Sequence, residues 1–296
     1  MRRSAVVVIA AVVGSVLLGA APADAVPTGE YETQGVLRIT AQPGDRRMRV
    51  EVSPDLPLSD SGPTTYVRGR VDLGDDCFLL PDGPRQYACR GKPSLVVLDG
   101  GPARVHFLVS GDVTPPARLV SGRRGGWMMS DGPQARFIGR GGRDVAVWEP
   151  YDYGRLSLVV RLHGGDDRFE LSSVHQAVHG PHGPGPARVL LGAGDDGFAL
   201  DVEPGTELVV VGGTGNDQIS LARRQTGRGG PGADTLRRGV HLVGGRGEDV
   251  LTGGSFTRLV DAVDGDRDVV TCASDKTVVR ADRIDDVSAS CVHVLR

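Results

Sequence analysis

The sequence predicts an all-β protein, a parallel β-solenoid of the β-roll or β-helix kind with stacked Gly/Asp turns, preceded by a small N-terminal β module. Three observations carry that expectation. A glycine-rich turn ending in aspartate recurs at Leu191 to Phe198, Gly212 to Ile219, Gly229 to Leu236 and Gly244 to Leu251. Aligned on Asp196, Asp217, Asp234 and Asp249, the copies lie 21, 17 and 15 residues apart, an imperfect period of the length one solenoid coil needs. Apolar runs lead into the turns, as at Leu208 to Val211 and Val240 to Val243, and short alternating strands such as Gln218-Ile219-Ser220-Leu221 leave them, with no helical period. Finally, 44 glycines, 19 prolines and 4% aromatic residues exclude a thick core of large side chains but allow a thin one of stacked Val, Leu and Ile.

In chain order, Met1-Arg2-Arg3, the apolar stretch Ala5 to Ala21 and the small-residue site Ala23-Asp24-Ala25 read as a secretory signal peptide covering 1–25. Its apolar core is broken by Gly14, Ser15 and Gly19 and is shorter than the roughly 20 residues of a spanning helix, so no membrane span is expected. Residues 26–92 are expected to form the N-terminal β module or a solenoid cap: the alternation from Val36 to Val52 around Pro43-Gly44-Asp45 reads as a hairpin, and a breaker-rich loop follows at 53–64. The solenoid proper is expected over 93–271. Its rhythm starts in worn form, with Ala103 and Gly126 in the aspartate's place, improves at Asp144 and Asp167, and runs on to Asp268. Residues 272–296 read as a C-terminal cap in which Lys276 replaces the aspartate.

The four cysteines, Cys77, Cys89, Cys272 and Cys291, are an even number in a chain read as exported, which predicts two disulfides. Three pairings are open; the short loops at opposite ends favour 77–89 and 272–291. The absence of C-x-x-C spacing argues against a thiolate metal site. The net charge of −3 and the presence of only Lys92 and Lys276 as lysines argue against a polybasic nucleic-acid surface.

In-register coils about 4.8 Å apart would stack the turn aspartates into a column of like charges, each adjacent pair repelling by about 1 kcal/mol in water and more at lower dielectric. A cation relieves that cost. Ca²⁺ suits it best, since it takes 6–8 oxygens from carboxylates and backbone carbonyls, whereas Mg²⁺ holds its waters and demands octahedral geometry. The plainer alternative is that the aspartates only bond backbone N–H groups at solenoid corners; that chemistry would accept Asn or Ser equally well, and it is the preferred account of the worn turns at Ala103 and Gly126.

At these residues the sequence resembles the hemolysin-type, or RTX, calcium-binding repeat G-G-x-G-x-D-x-U-x, with U a large apolar residue. Gly212 to Ile219, Gly229 to Leu236 and Gly244 to Leu251 match in full; the copy at Asp196 has Leu191 for the first glycine. The resemblance implies calcium held between stacked turns by Asp196, Asp217, Asp234 and Asp249, with turn carbonyls at Gly194, Gly213, Gly215, Gly230, Gly232, Gly245 and Gly247, and partial sites at Asp167 and Asp268. It also implies a secreted bacterial calcium-binding protein. Unlike the dense nine-residue form of the family, this chain has one motif per coil, so one row of ions along one edge is expected.

Signals for catalysis are weak. Ser59 to Pro63 lacks the leading glycine and preceding histidine of a serine-protease segment. His175 and His179 are four apart, but Gln176 stands where a metalloprotease glutamate belongs and Gly180-Pro181 breaks any helix, so these are expected to be loop histidines. Tyr151, Asp152, Tyr153 and Arg155 have no spacing that supports a lyase. The expectation is a secreted, non-enzymatic, Ca²⁺-stabilised solenoid. The alternative is a calcium-dependent polysaccharide-acting enzyme or a carbohydrate- or surface-binding accessory protein, with an extracellular glycan or cell surface as partner.

Overall fold

The computed structural model describes residues 28–296 apart from 33–34, 56–63, 74–76, 81–84, 92, 112–113, 151–155, 173–177, 181–182 and 202–206. The expected signal peptide lies outside the described residues, as do Ser59 to Pro63, Tyr151 to Arg155 and His175.

Among the described residues every regular element is a strand, and the strands form two sheets of 15 and 14. The chain alternates between them. Leu208–Thr214 lies in the first sheet, Gln218–Ser220 in the second, Thr226–Pro231 in the first again and Thr235–Arg237 in the second. Equivalent strands pair in parallel and in register, Val211 beside Arg228 and Ile219 beside Leu236. This is the expected parallel β-solenoid.

Alternation explains the core. Each strand presents one apolar face, and two such faces meet only because the turns fold the chain back on itself. From the first sheet Leu98, Leu119, Phe137, Val160, Val189, Val210, then Gly227, Leu242, Val260 and Val279 stack in one buried column; from the second Ala146, Phe169, Phe198, Ile219, Leu236, Leu251 and Val270 form the column that faces it. Phe169 packs against Phe137 and Phe198 with ring centroids 5.9 and 6.0 Å apart, the bulkiest part of an otherwise aliphatic core. Burying each such side chain is worth about 1.5–3 kcal/mol, and the burial depends on the coils above and below.

The stacking begins earlier than Pro93. Val36–Thr40 lies in the first sheet, parallel to Leu95–Asp99, while Arg47–Asp55 lies in the second, parallel to Arg104–Val109. Residues 36–52 are therefore a first coil and not the expected hairpin. Period-2 alternation is the same for a strand that pairs with its neighbour in sequence and for one that pairs a coil away. Antiparallel strands at Thr64–Gly69, Cys77–Leu79 and Gln86–Arg90 continue the second sheet beyond this coil. Register also corrects Ala103, because Val105, not Ala103, stands beside Gly126. At the other end parallel pairing continues to His293–Leu295. Both disulfides form, Cys77–Cys89 and Cys272–Cys291.

Candidate metal centre

All the GGxGxD turns lie on one edge, where the chain passes from the first sheet to the second. The aspartates at their ends form a continuous inner column: Asp144, Asp167, Asp196, Asp217, Asp234, Asp249, Asp268 and Asp285, each 0–6% exposed. Each backbone N–H donates to the carboxylate one coil on, Asp196 to Oδ1 of Asp217 at 2.9 Å, Asp217 to Oδ1 of Asp234 at 2.8 Å, and Asp234 to Oδ1 of Asp249 at 2.8 Å. The same bond links Asp144 to Asp167, Asp167 to Asp196, Asp249 to Asp268 and Asp268 to Asp285. The sequence-predicted Asp167, Asp196, Asp217, Asp234, Asp249 and Asp268 are thus brought together in order. Lys276 is corrected: it lies in the turn between Val269–Cys272 and Val278–Ala281, on the opposite edge, and Asp285 takes the next place in the column.

One oxygen of each carboxylate from Asp167 to Asp285 is occupied in this way. The other is not: Oδ2 of Asp167, Asp196, Asp217, Asp234, Asp249 and Asp268 is buried with no hydrogen-bond partner, and so is Oδ1 of Asp144, whose Oδ2 accepts from the Ser121 hydroxyl at 2.9 Å. Burial therefore lifts the carboxyls of Asp144, Asp217, Asp249 and Asp268 to about 7, Asp167 to about 8 and Asp196 to about 6, and raises Asp234 as well. Neighbouring carboxylates add to the rise at Asp167, Asp217, Asp249 and Asp268. The described ion pairs engage other carboxylates, those of Glu51, Asp99, Glu170 and Asp261, so no arginine or lysine among the described residues neutralises the column.

The first glycine of the motif makes room for this arrangement. A Cβ on Gly229 would stand 2.1 Å from Oδ2 of Asp234 and 2.7 Å from the carbonyl oxygen of Gly244. Gly212 and Gly244 meet Asp217 and Asp249 in the same way. The second glycine has a different reason: Gly230 has φ of 131°, and its Cβ would meet the carbonyl oxygen of Gly213 at 2.0 Å. The remaining predicted turn glycines, Gly194, Gly215, Gly232, Gly245 and Gly247, also have positive φ, and the carbonyls of Gly194, Gly213, Gly215, Gly230 and Gly232 face the glycine of the next coil. The Gly244 carbonyl and the unpartnered Asp234 Oδ2 thus flank the same space at Gly229, and Gly244 is a first-position glycine that the sequence reading did not single out as a ligand.

A second row lies one residue before the column and runs in the opposite sense. Asp195 N–H donates to Asp166 Oδ1 at 3.2 Å, Asn216 N–H to Asp195 Oδ1 at 2.8 Å and Ala233 N–H to Asn216 Oδ1 at 2.9 Å. This outer row is exposed and takes its acceptor oxygens from Asp or Asn alike, as a hydrogen-bonding role alone allows, and it ends at Ala233, which donates but has no side-chain acceptor.

Sequence reasoning also missed Asp264. One carboxylate oxygen each from Asp249, Asp264 and Asp268 lies within 4.8 Å of the other two, and all three residues keep an unpartnered Oδ2. Only the structural register reveals this, because Asp264 falls outside the motif. An all-oxygen donor set of this kind could hold a hard cation. No protein-family model matches this chain, and neither a curated protein nor a solved structure matches it.

Proposed function

We propose that the chain is a secreted, non-enzymatic calcium-binding β-solenoid in which Ca²⁺, held between stacked GGxGxD turns, stabilises the fold outside the cell. The observation that carries this reading is the contrast between the two rows. Accepting a backbone N–H requires only an oxygen, and the outer row uses Asn216 where Asp is not needed. The inner column is aspartate at every position from Asp144 to Asp285, and from Asp144 to Asp268 each carboxylate keeps a buried oxygen that no protein donor reaches. An apolar or amide side chain would avoid the desolvation cost of those charges; a cation makes use of them. Asp196, Asp217, Asp234 and Asp249 would supply the carboxylates, with Gly244 offering a carbonyl from the first glycine position. The resemblance of three consecutive turns to the RTX repeat supports the same assignment, and two disulfides suit an oxidising compartment.

At millimolar calcium and an affinity of about 10⁻⁴–10⁻³ M, typical of extracellular modules, each filled site adds about 1 kcal/mol, so several sites shift the melting temperature by several degrees. Thermal unfolding of the mature chain, followed by circular dichroism at pH 7.5 in EGTA and in 5 mM CaCl₂ (about fivefold or more above that affinity), tests the reading. A higher midpoint in calcium, absent with equimolar magnesium, is expected; identical midpoints in EGTA and calcium would refute it.

A second reading, a surface for an acidic glycan, has its own observation. Arg47, Arg49, Arg104 and Arg143 line a groove on the second sheet together with His106 and Trp127, whose rings stack 4.6 Å apart. Arg49 is paired with Glu51, while Arg47, Arg104 and Arg143 have no carboxylate partner among the described residues. This reading requires retention on immobilised heparin that survives EGTA and is lost in Arg47→Ala/Arg104→Ala; passage of the wild-type chain without retention would exclude it.

A further inference from the structure

The three carboxylates at the C-terminal end of the column differ from the rest in how they are assembled. In the preceding coils the offset between paired strands is the same on both sides of the turn: 21 residues for Leu190 with Val211 and Gly197 with Gln218, 17 for Val211 with Arg228 and Gln218 with Thr235, and 15 for Arg228 with Val243 and Thr235 with Val250. At the next turn it changes from 18, Val243 with Asp261, to 19, Val250 with Val269. That turn is one residue longer, and the longer loop contains Asp264.

Its backbone is tied down on the far side. The N–H groups of Asp264 and Gly265 both donate to Oδ2 of Asp282, at 3.0 and 2.7 Å, and Asp266 N–H donates to Oδ1 of Asp264 at 2.7 Å. Asp264 thereby follows the same rule as its two neighbours. Oδ1 of Asp249 is held by Asp234 N–H, Oδ1 of Asp268 by Asp249 N–H and Oδ1 of Asp264 by Asp266 N–H, and each of the three retains an Oδ2 that is buried and unpartnered. Asp249 and Asp268 are 1% and 0% exposed, so their free oxygens have no access to bulk water.

We propose that Asp249, Asp264 and Asp268 form a discrete calcium site, distinct from the repeating turn sites and the tightest of the chain. An ion about 2.4 Å from each of three oxygens needs them no more than about 4.8 Å apart, and the three oxygens here all lie within that limit of one another. Mg²⁺ demands near-ideal octahedral geometry and keeps several of its waters, so a site built from three protein carboxylates suits it less well. Among the described residues this is the one group where three acidic side chains converge so closely. Three negative charges around one ion bind it more strongly than the single free oxygen each ordinary turn contributes. The site also has a structural consequence. It joins the Asp249 turn to the loop held by Asp282, and so fastens the last motif coil to the C-terminal coils that carry the Cys272–Cys291 bridge.

The inference rests on the reading that the column takes calcium, and the experiment separates the two. Calcium is titrated into the mature chain by isothermal calorimetry for wild type, Asp264→Asn, Asp264→Ser, Asp217→Asn and the exposed same-edge control Glu248→Gln. Both Asp264 variants should lose one ion from the stoichiometry, or weaken the tightest phase by about tenfold or more. Asp217→Asn and Glu248→Gln should leave the tightest phase intact. Asp264→Ser keeps an acceptor for the Asp266 N–H, so its agreement with Asp264→Asn distinguishes lost ligation from a collapsed loop. Wild-type binding in both Asp264 variants would overturn the discrete site while leaving the column reading standing. No calcium binding by the wild-type chain would overturn both.

Discussion

Replacing Asp217 by asparagine separates the two jobs a column aspartate does, fastening coils and carrying charge. The amide introduced by Asp217→Asn still offers an oxygen to the Asp196 N–H, which donates at 2.9 Å in the native chain, but it has no charge to desolvate and no carboxylate for an ion. Burial, with help from Asp234 and Asp196, raises the Asp217 carboxyl from 3.8 to about 7. Because the folded value lies above the unfolded one, its favourable contribution is complete below pH 3.8 and is lost as pH rises to about 7. At about 1.4 kcal/mol per pH unit, the apo protein forfeits on the order of 2 kcal/mol by pH 5 and on the order of 4 kcal/mol by pH 8. In EGTA the variant should therefore melt above wild type, by a margin that widens from pH 5 to pH 8 and reaches roughly 5 °C or more for a chain of this size. In calcium the order should narrow or reverse, because the variant loses the gain from ions beside position 217. The assay is a pair of melting curves, with and without calcium, at three pH values. A variant that melts at or below wild type in EGTA at pH 8, or that keeps the full calcium-dependent gain, would refute this reasoning.

Two glycine substitutions test the packing that admits the carboxylates. Gly229→Ala places a methyl group 2.1 Å from Asp234 Oδ2 and 2.7 Å from the Gly244 carbonyl, so a loss of about 2–4 kcal/mol is expected by chemical denaturation, together with a weaker calcium response. Gly197→Ala, where the added methyl would meet only the Arg168 side chain and the Asp167 carbonyl oxygen, each at 3.8 Å, should fall within about 0.5 kcal/mol of wild type; a comparable loss at both positions would show that the cost comes from glycine's backbone alone.

The fold was legible wherever the motif and the alternating strands agreed. From Gly212 to Leu251 a turn glycine, an aspartate and an apolar residue two places on repeat at fixed spacing, and each maps to one location: the turn, the inner column and the core column. Legibility failed where alternation stood without the motif. Val36 to Val52 has the pattern of a hairpin, and the parallel partners that make it a coil lie more than 50 residues away, at Leu95–Asp99 and Arg104–Val109. The place assigned to Ala103 was wrong for a related reason: its Gly-Pro turn looks like the others, but register puts Val105 at the column position. A two-residue slip of this kind keeps the apolar face pointing inward, so the pattern alone cannot detect it.

The site was half legible, and the missing half explains why the column favours aspartate. The sequence named the residues from Asp167 to Asp268 but weighed hydrogen bonding against cation binding as competing explanations. The geometry puts the hydrogen bond on one oxygen and leaves the other free: Oδ1 accepts the N–H of the coil before, and Oδ2 is left over for the proposed cation. Hydrogen bonding fixes the orientation of each side chain before any ion arrives, so little side-chain entropy remains to be lost on binding. It also keeps the free oxygens in register along the edge, since each carboxylate from Asp167 to Asp268 is held by the same kind of donor one coil away. In the absence of an ion, the raised carboxyls from Asp167 to Asp268 must either protonate or repel one another near neutral pH, so proton release should accompany calcium uptake. At Asp144 the Ser121 hydroxyl supplies the donor that the later carboxylates lack, and the apolar Val105 and Gly126 precede it in the column. The gradient from worn to complete motifs thus follows a gradient in how the edge is neutralised, from residues with no charge, through a hydroxyl, to the run of carboxylates for which calcium is the proposed counter-charge.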